Sequence, residues 1–346
     1  MTTVVNDAAT PLEPTAAVLR ARDVRVDVVS DATPLPIVRG VDLELVAGEA
    51  LGLVGESGSG KSVLSRNLMG LSTDDPTIRV MGSVLLEGDE VVGASNKAMR
   101  ARWGSQISIV LQDPLASLNP VRKVGIQVAE TVRKHDRSVS KAQARERAAD
   151  LLRQVGIADP VRRLDVYPHE MSGGMRQRVM IAIALAGNPR VLIADEPTTA
   201  LDVTVQAQIL DLLDALRDER AMGVILVTHD LSLVASRTDR VAVMYGGRIV
   251  EEAPTRTLFA SPAMPYTRAL LDAVPPMSGP THITLAAIPG APPTPSAEAV
   301  GCRFAERCAL ATDICRETEP ELLPVHDDPT HRARCHYPLA FPGGSA

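Results

Sequence analysis

Three short stretches hold residues whose types and spacing could do chemistry. The run GESGSGKS, Gly55 to Ser62, fits the pattern G-x-x-x-x-G-K-S. Glycines at Gly55, Gly58 and Gly60, with Ser57 among them, let backbone N–H groups turn inward around phosphates; Lys61 can reach β and γ oxygens, and Ser62 can ligate Mg2+. In VLIADEP an apolar run ends at Asp195, a carboxylate placed to hold the same Mg2+, and the adjacent Glu196 is placed to polarise a water for attack on a γ-phosphate. Alone, an Asp-Glu pair after an apolar run is a weak signal, most often a solvated strand end. Joined to the phosphate loop, it is a strong one. The third stretch, MSGGMRQRVMIAIALAG, sets Ser172, Gly173 and Gly174 at the start of a long apolar helix, whose positive end is another anion-binding arrangement. With one phosphate loop in the chain, that helix has no second nucleotide of its own to face. It is expected to face a nucleotide held by another chain.

Such groups need rigid supports, and the hydrophobic periodicity supplies them. The stretch LRARDVRVDV, Leu19 to Val28, alternates as a half-buried strand does. VDLELVAGEALGLVG reads as two strands hinged at Ala47-Gly48, and GSVLLEGDEVVG as a hairpin-like pair turning at Gly88-Asp89. Ala144, Ala148, Leu151, Leu152 and Val155 recur at helical spacing, with Gly156 placed as the stop. VLIAD and GVILVTHD read as buried parallel strands separated by the helical VTVQAQILDLLDALRDE. Residues 275 to 295 hold seven prolines and read as an extended linker.

Composition narrows the function classes. Lys and Arg number 36 against 42 Asp and Glu, a net charge of −6 with no basic stripe, which excludes a nucleic-acid footprint. Aromatic residues make up 2%, too few for base-stacking platforms. The N-terminal stretch lacks a signal-like apolar run, and VMIAIALAG is well short of a membrane span, so a cytosolic location is expected. Cys302, Cys308, Cys315 and Cys335 are the whole cysteine complement, spaced C-x5-C-x6-C-x19-C. In a reducing compartment metal ligation leads over disulfides. Zinc, with His326, His331 or His336 able to replace a cysteine, an iron–sulfur cluster, and buried thiols in a small domain all stay open at this point. A tail this short cannot build its own core, so a metal staple is one account of how it folds.

The loop, the Asp-Glu strand end and MSGG together make the chain resemble the ATP-binding cassette (ABC) ATPases, with Met171 and Met175 where the signature has Leu and Gln. The resemblance implies an α/β fold: a P-loop, RecA-like core with an antiparallel β-subdomain and a helical subdomain. It implies ATP and Mg2+ as ligands and a two-ATPase sandwich in which Ser172, Gly173 and Gly174 complete the partner's site. Further residues follow by matching: Gln112 in VLQDPLASLNP as the glutamine that senses Mg2+ and the attacking water, Asp202 in TALD at the dimer interface, and His229 in VTHD as the switch histidine. Where the family stacks an aromatic ring on adenine, the matching position is Val28, with apolar contact in place of stacking. QDPLASLNP, YPHEMSGGMRQRVMIAIAL, PAMPYTRALLDAVP and the cysteine tail resemble the oligopeptide/dipeptide (and nickel) import branch. That branch implies an ATPase domain over 17–255, its helical subdomain about 113–187, and a C-terminal extension over 256–346. It favours a [4Fe–4S] cluster over Zn2+ at the four cysteines. It also implies a second homologous ATPase, two transmembrane permeases and an extracytoplasmic solute-binding protein as partners, at the cytoplasmic face of the membrane. Di- or oligopeptides are the expected cargo; nickel or another small solute, or a soluble non-transport ABC ATPase, are the alternatives.

Overall fold

The computed structural model describes residues 17–29, 33–72, 74–113, 117–199, 201–274, 287–296, 300–325 and 327–340. The centre of QDPLASLNP (114–116), most of the proline-rich stretch (275–286) and His326 lie outside the described residues.

Alternating sequence builds the first layer. Strands β1 (Ala17–Val28), β2 (Leu35–Val46), β4 (Ile78–Leu86) and β5 (Asp89–Glu90) form an antiparallel sheet in the order β2-β1-β4-β5. The β1 alternation breaks in mid-strand: Ala21 and Val24 are both fully buried, because the register against β2 shifts between them, a bulge with Asp23 at φ 45. The β4–β5 turn is made by Glu87 and Gly88, both at positive φ, one residue earlier than the sequence suggested.

The Ala47-Gly48 hinge does more than connect two strands. It hands the chain from the first sheet to the second, where β3 (Ala50–Val54) lies buried throughout. This eight-stranded sheet runs in the order β11 (Leu323–Val325), β12 (Asp328–Ala333), β10 (Arg248–Pro254), β9 (Arg240–Tyr245), β3, β8 (Gly223–Thr228), β7 (Val191–Asp195), β6 (Ile107–Val110). Parallel pairing joins β3, β6, β7, β8 and β9. Continuous apolar runs such as VLIAD and GVILV suit strands covered on both faces. The helix Lys61–Leu68 packs between the sheets, its Leu64 and Leu68 in one core with Leu51, Leu53 and Val191.

A helical group covers the β6 side of the sheet. The helices Val124–His135 and Lys141–Gln154 join Gly173–Leu185 in a second core that reaches Leu192 and Leu226. Ser140 starts the middle helix with a capping box to Gln143, and Ala144, Ala148, Leu152 and Val155 are fully buried on its inner face.

The tail is not an independent appendage. After β10 (Arg248–Pro254) and the helix Pro265–Asp272, the cysteine segment returns through β11 (Leu323–Val325) and β12 (Asp328–Ala333), and β12 pairs with β10, extending the main sheet. Glu251 and His331, both fully buried, face one another across that pair at 2.7 Å, and Glu251 also accepts the N–H groups of Ala263 (2.6 Å) and Met264 (3.0 Å). Phe304 packs edge-on to Tyr245 (5.4 Å) and against Tyr266 (5.3 Å), ring pairs worth about 1 kcal/mol each beyond burial. A segment too short for its own core thus borrows one from the sheet.

Candidate functional site

The C-terminal ends of β3, β7 and β8 deliver their following loops to one open cleft of about 910 Å3. Gly55, at φ 150, leaves β3 where a Cβ would stand 2.1 Å from the Met244 carbonyl oxygen, so only glycine permits the loop to start there. Ser57, Gly58, Gly60, Lys61 and Ser62 continue the wall. Lys61 is buried, and its Nζ donates to the carbonyls of Gly55 (2.7 Å) and Glu56 (2.9 Å). Burial holds its pKa below the ordinary lysine value, with Glu196, Asp195 and Glu56 pulling the other way.

From the opposite wall, β7 ends in Asp195, whose Oδ1 accepts the Ser62 hydroxyl at 3.1 Å. Burial raises the Asp195 carboxyl, against the Ser62 hydrogen bond and the Arg66 charge. Glu196 follows at φ 50, a strained backbone for a residue with a side chain. Its carboxylate is a hub: Gln112 Nε2 donates at 2.7 Å, Thr199 Oγ1 at 2.9 Å, and His229 Nδ1 stands at 3.1 Å. Burial by itself would raise this carboxyl, yet the hydrogen bonds from His229 and Thr199, with the charges of His229 and Lys61, outweigh it and hold Glu196 below the usual range. It is therefore ionised at neutral pH, the form a general base needs.

The structure thus brings Gly55, Ser57, Gly58, Gly60, Lys61, Ser62, Gln112, Glu196 and His229 to one cleft, with Asp195 bonded behind Ser62. It leaves other candidates elsewhere. Val28 ends β1 paired to Leu35 and Ile78, and the apolar residues lining the cleft include Ile37, Val63 and Leu270. Ser172, exposed, caps the helix Gly173–Leu185 by accepting the Met175 N–H at 3.3 Å. A Cβ on Gly174 would lie 2.5 Å from Val205 Cγ1, so glycine there also lets two helices meet. Asp202 caps the helix Val203–Arg220 through the Val205 N–H at 2.9 Å. None of Ser172, Gly173, Gly174 or Asp202 reaches the cleft of its own chain.

Sequence reasoning missed Thr199, Glu56, Leu270 and Pro295. All four line the cleft. Thr199 carried a signal, a hydroxyl three residues beyond Glu196 in a turn. Glu56, Leu270 and Pro295 carried none.

The four thiols share a second site. Cys302, Cys308, Cys315 and Cys335, all free, line one small apolar cavity with Met264, Phe304 and Tyr337. Cys302 N–H donates to the Cys315 carbonyl at 2.7 Å, closing the loop that carries them. Burial pushes the Cys302 thiol up and Cys335 up to about 11, with neighbouring thiols adding to both. Among the described residues, no group of three or more His, Cys, Asp or Glu is so arranged that it could hold a metal ion. Of the histidines considered as substitutes, His331 is committed to Glu251, and His336 Nε2 lies 2.9 Å from the Thr318 carbonyl.

A phosphate loop at the end of a buried parallel strand, a hydroxyl and carboxylate poised for a divalent cation, and an ionised glutamate beside them define a P-loop nucleotide-binding protein. Residues 38–199 match the family described as ABC transporter, and residues 250–315 match the oligopeptide/dipeptide transporter C-terminal region. The chain is 48% identical to a probable peptide ABC transporter ATP-binding protein of Sinorhizobium fredii, over 92% of this chain and 94% of that one. It is 45% identical to the dipeptide transport ATP-binding protein DppD of Escherichia coli, over 93% and 97%. The oligopeptide transport ATP-binding protein OppD of Mycobacterium tuberculosis is 49% identical over 92% of this chain, which spans only 51% of that relative's length. Among solved structures, a dimeric ATP-binding cassette in a post-hydrolysis state bound to ADP and Pi superposes with a TM-score of 0.61 at 28% identity, covering 69% of this chain and 99% of that one. The chain belongs to the ABC transporter family of ATP-binding proteins. None of its helices, among the described residues, is long and apolar enough to cross a membrane.

Proposed function

We propose that this chain is the ATP-binding and ATP-hydrolysing subunit of an importer for di- or oligopeptides. The observation that carries the reading is Glu196, ionised and held by Gln112, Thr199 and His229 beside the phosphate loop. Lys61 turns from the loop carbonyls to the phosphate oxygens, and Ser62, Asp195 and Gln112 are the residues that would hold Mg2+; when bound, the cation would supply charge neutralisation to the phosphates. Glu196 orients and deprotonates the attacking water, and His229 contacts the γ-phosphate. Ile37 supplies the apolar contact that Val28 was expected to make.

Ser172, exposed, and the half-buried Gly173 and Gly174, all away from their own cleft, serve a nucleotide on a second, homologous ATPase, with Asp202 at the same junction. The dimeric state of the matched cassette supports this pairing. The region around 113–187, within the ATPase domain 17–255, meets two permeases at the cytoplasmic face of the membrane, fed by an extracytoplasmic solute-binding protein. Peptide cargo is supported by the names of the relatives and by the matched C-terminal region. ATP-driven uptake of a labelled dipeptide by vesicles carrying the assembled importer tests it. Vesicles that import nickel but no peptide, or a chain that hydrolyses ATP at full rate with no membrane partner, would refute it.

In the extension, 256–346, Cys302, Cys308, Cys315 and Cys335 are the ligands of a [4Fe–4S] cluster. Four thiols rimming one cavity are the donor set such a cluster requires. Protein purified without oxygen should be brown and carry about four irons per chain; colourless protein with one tight zinc would reject the cluster.

A further inference from the structure

Glu56 is an anomaly in the phosphate loop. It places a carboxylate within a structure that must receive a polyanion, and an uncompensated negative charge there would oppose binding. The loop solves this with a residue from far along the chain. Arg307, buried in the 3-10 turn Ala305–Arg307 just before Cys308, holds both Glu56 oxygens, Nη1 to Oε2 at 2.6 Å and Nη2 to Oε1 at 2.9 Å. Two further donors are fixed as well, Nε to the Pro289 carbonyl at 2.8 Å and Nη1 to the Tyr245 hydroxyl at 3.1 Å. The Glu56 N–H in turn donates to the Tyr266 hydroxyl at 2.9 Å. Leu270 and Pro295 stand on the cleft wall beside it.

We propose that the C-terminal extension is a working part of the nucleotide site, and that Arg307 is a positioning residue which neutralises Glu56 and draws its carboxylate away from the phosphates. A bidentate guanidinium–carboxylate pair fixes direction as well as charge. Tyr266 fixes the backbone of the same residue. Phosphate affinity therefore depends on a turn bounded by Cys302 and Cys308, 251 residues from Glu56 in sequence. This rests on the reading of the cleft as an ATP site.

The test is a titration of the full-length chain with Mg2+ and a fluorescent ATP analogue. Arg307→Met should weaken binding by about tenfold, the scale of one charge-assisted hydrogen-bonding unit, and the double variant Glu56→Gln/Arg307→Met should recover most of that loss. A merely structural Arg307 would give a double variant as weak as the single one, and that result, or single-variant affinity within twofold of wild type, overturns the proposal. Should Arg307→Met fail to fold, Glu56→Gln carries the test: with the guanidinium charge left uncancelled beside the phosphates, binding should tighten, and weaker binding overturns the proposal. Wild-type chain that does not bind the analogue, with Lys61→Ala no different, would instead remove the ATP reading itself.

Discussion

At the nucleotide cleft, polar side chains hold one another: Glu196 has three partners, Lys61 binds loop carbonyls, and Ser62 bonds Asp195. At the cysteine cavity the four thiols face apolar walls, and the polar contacts lie around the rim and behind it, in Arg307, Glu251 and His331. The cleft sits where parallel strands end, and the cavity sits on antiparallel strands added to the edge of the same sheet. The difference teaches that catalytic order here comes from polar contacts among loops that the parallel strands bring together, such as Ser62 with Asp195 and Gln112 with Glu196, while the tail's order comes from apolar packing and a few buried polar pairs on the sheet edge. The two meet at Glu56 and Arg307.

The largest effect that would separate the regions is expected from Lys61→Ala. It removes the cation from the phosphates and should weaken MgATP binding about a hundredfold, while the tail's thiols titrate with a thiol reagent as in wild type. Altered thiol reactivity would show that the cleft supports the tail, the reverse of the dependence described above. Next comes His331→Ala. It leaves Glu251 buried with one partner fewer and should destabilise the chain by roughly 3 kcal/mol, read by urea unfolding. A change below about 0.5 kcal/mol would show that β12 does not anchor the tail.

A smaller effect is expected at Asp195. Burial raises its carboxyl above the ordinary value, so the folded chain binds that proton more readily than the unfolded one. The resulting stability is present at low pH and lost as pH rises through the folded value. Asp195→Asn should therefore raise the melting temperature of the nucleotide-free chain near pH 8 by about 2 °C, a gain that shrinks toward pH 5, and should abolish the Mg2+ dependence of nucleotide binding. A lowered melting temperature at pH 8 would place the carboxylate's worth in its bond to Ser62 instead.

How far these features could be read from the chain follows the same division. The phosphate loop, the Asp195-Glu196 strand end and the Ser172 helix start are contiguous, because a loop that cradles phosphate must be built from neighbours; their spacing is visible in the sequence. The parallel strands were visible too, since double-sided burial leaves continuous apolar runs. The bulge at Arg22–Asp23 was not, because the alternation on either side looks unbroken. Ile37, which no motif singles out, reaches the cleft wall because sheet register, which no short motif encodes, decides which strand approaches the loop. Arg307 could not be found at all by spacing. Its partner is one carboxylate among 42 acidic residues, and the two meet only in the fold, where Tyr245 and Tyr266 touch both segments.

The central claim is that Glu196 activates water for ATP hydrolysis in a cleft that binds nucleotide without it. Rapid-quench measurement of γ-phosphate release from the assembled complex, with bound MgATP counted in the same samples, tests this most directly. Glu196→Gln should keep nucleotide occupancy within about twofold and slow cleavage by roughly a hundredfold or more, the scale of a lost general base. Cleavage within a few-fold of wild type at equal occupancy would contradict the account.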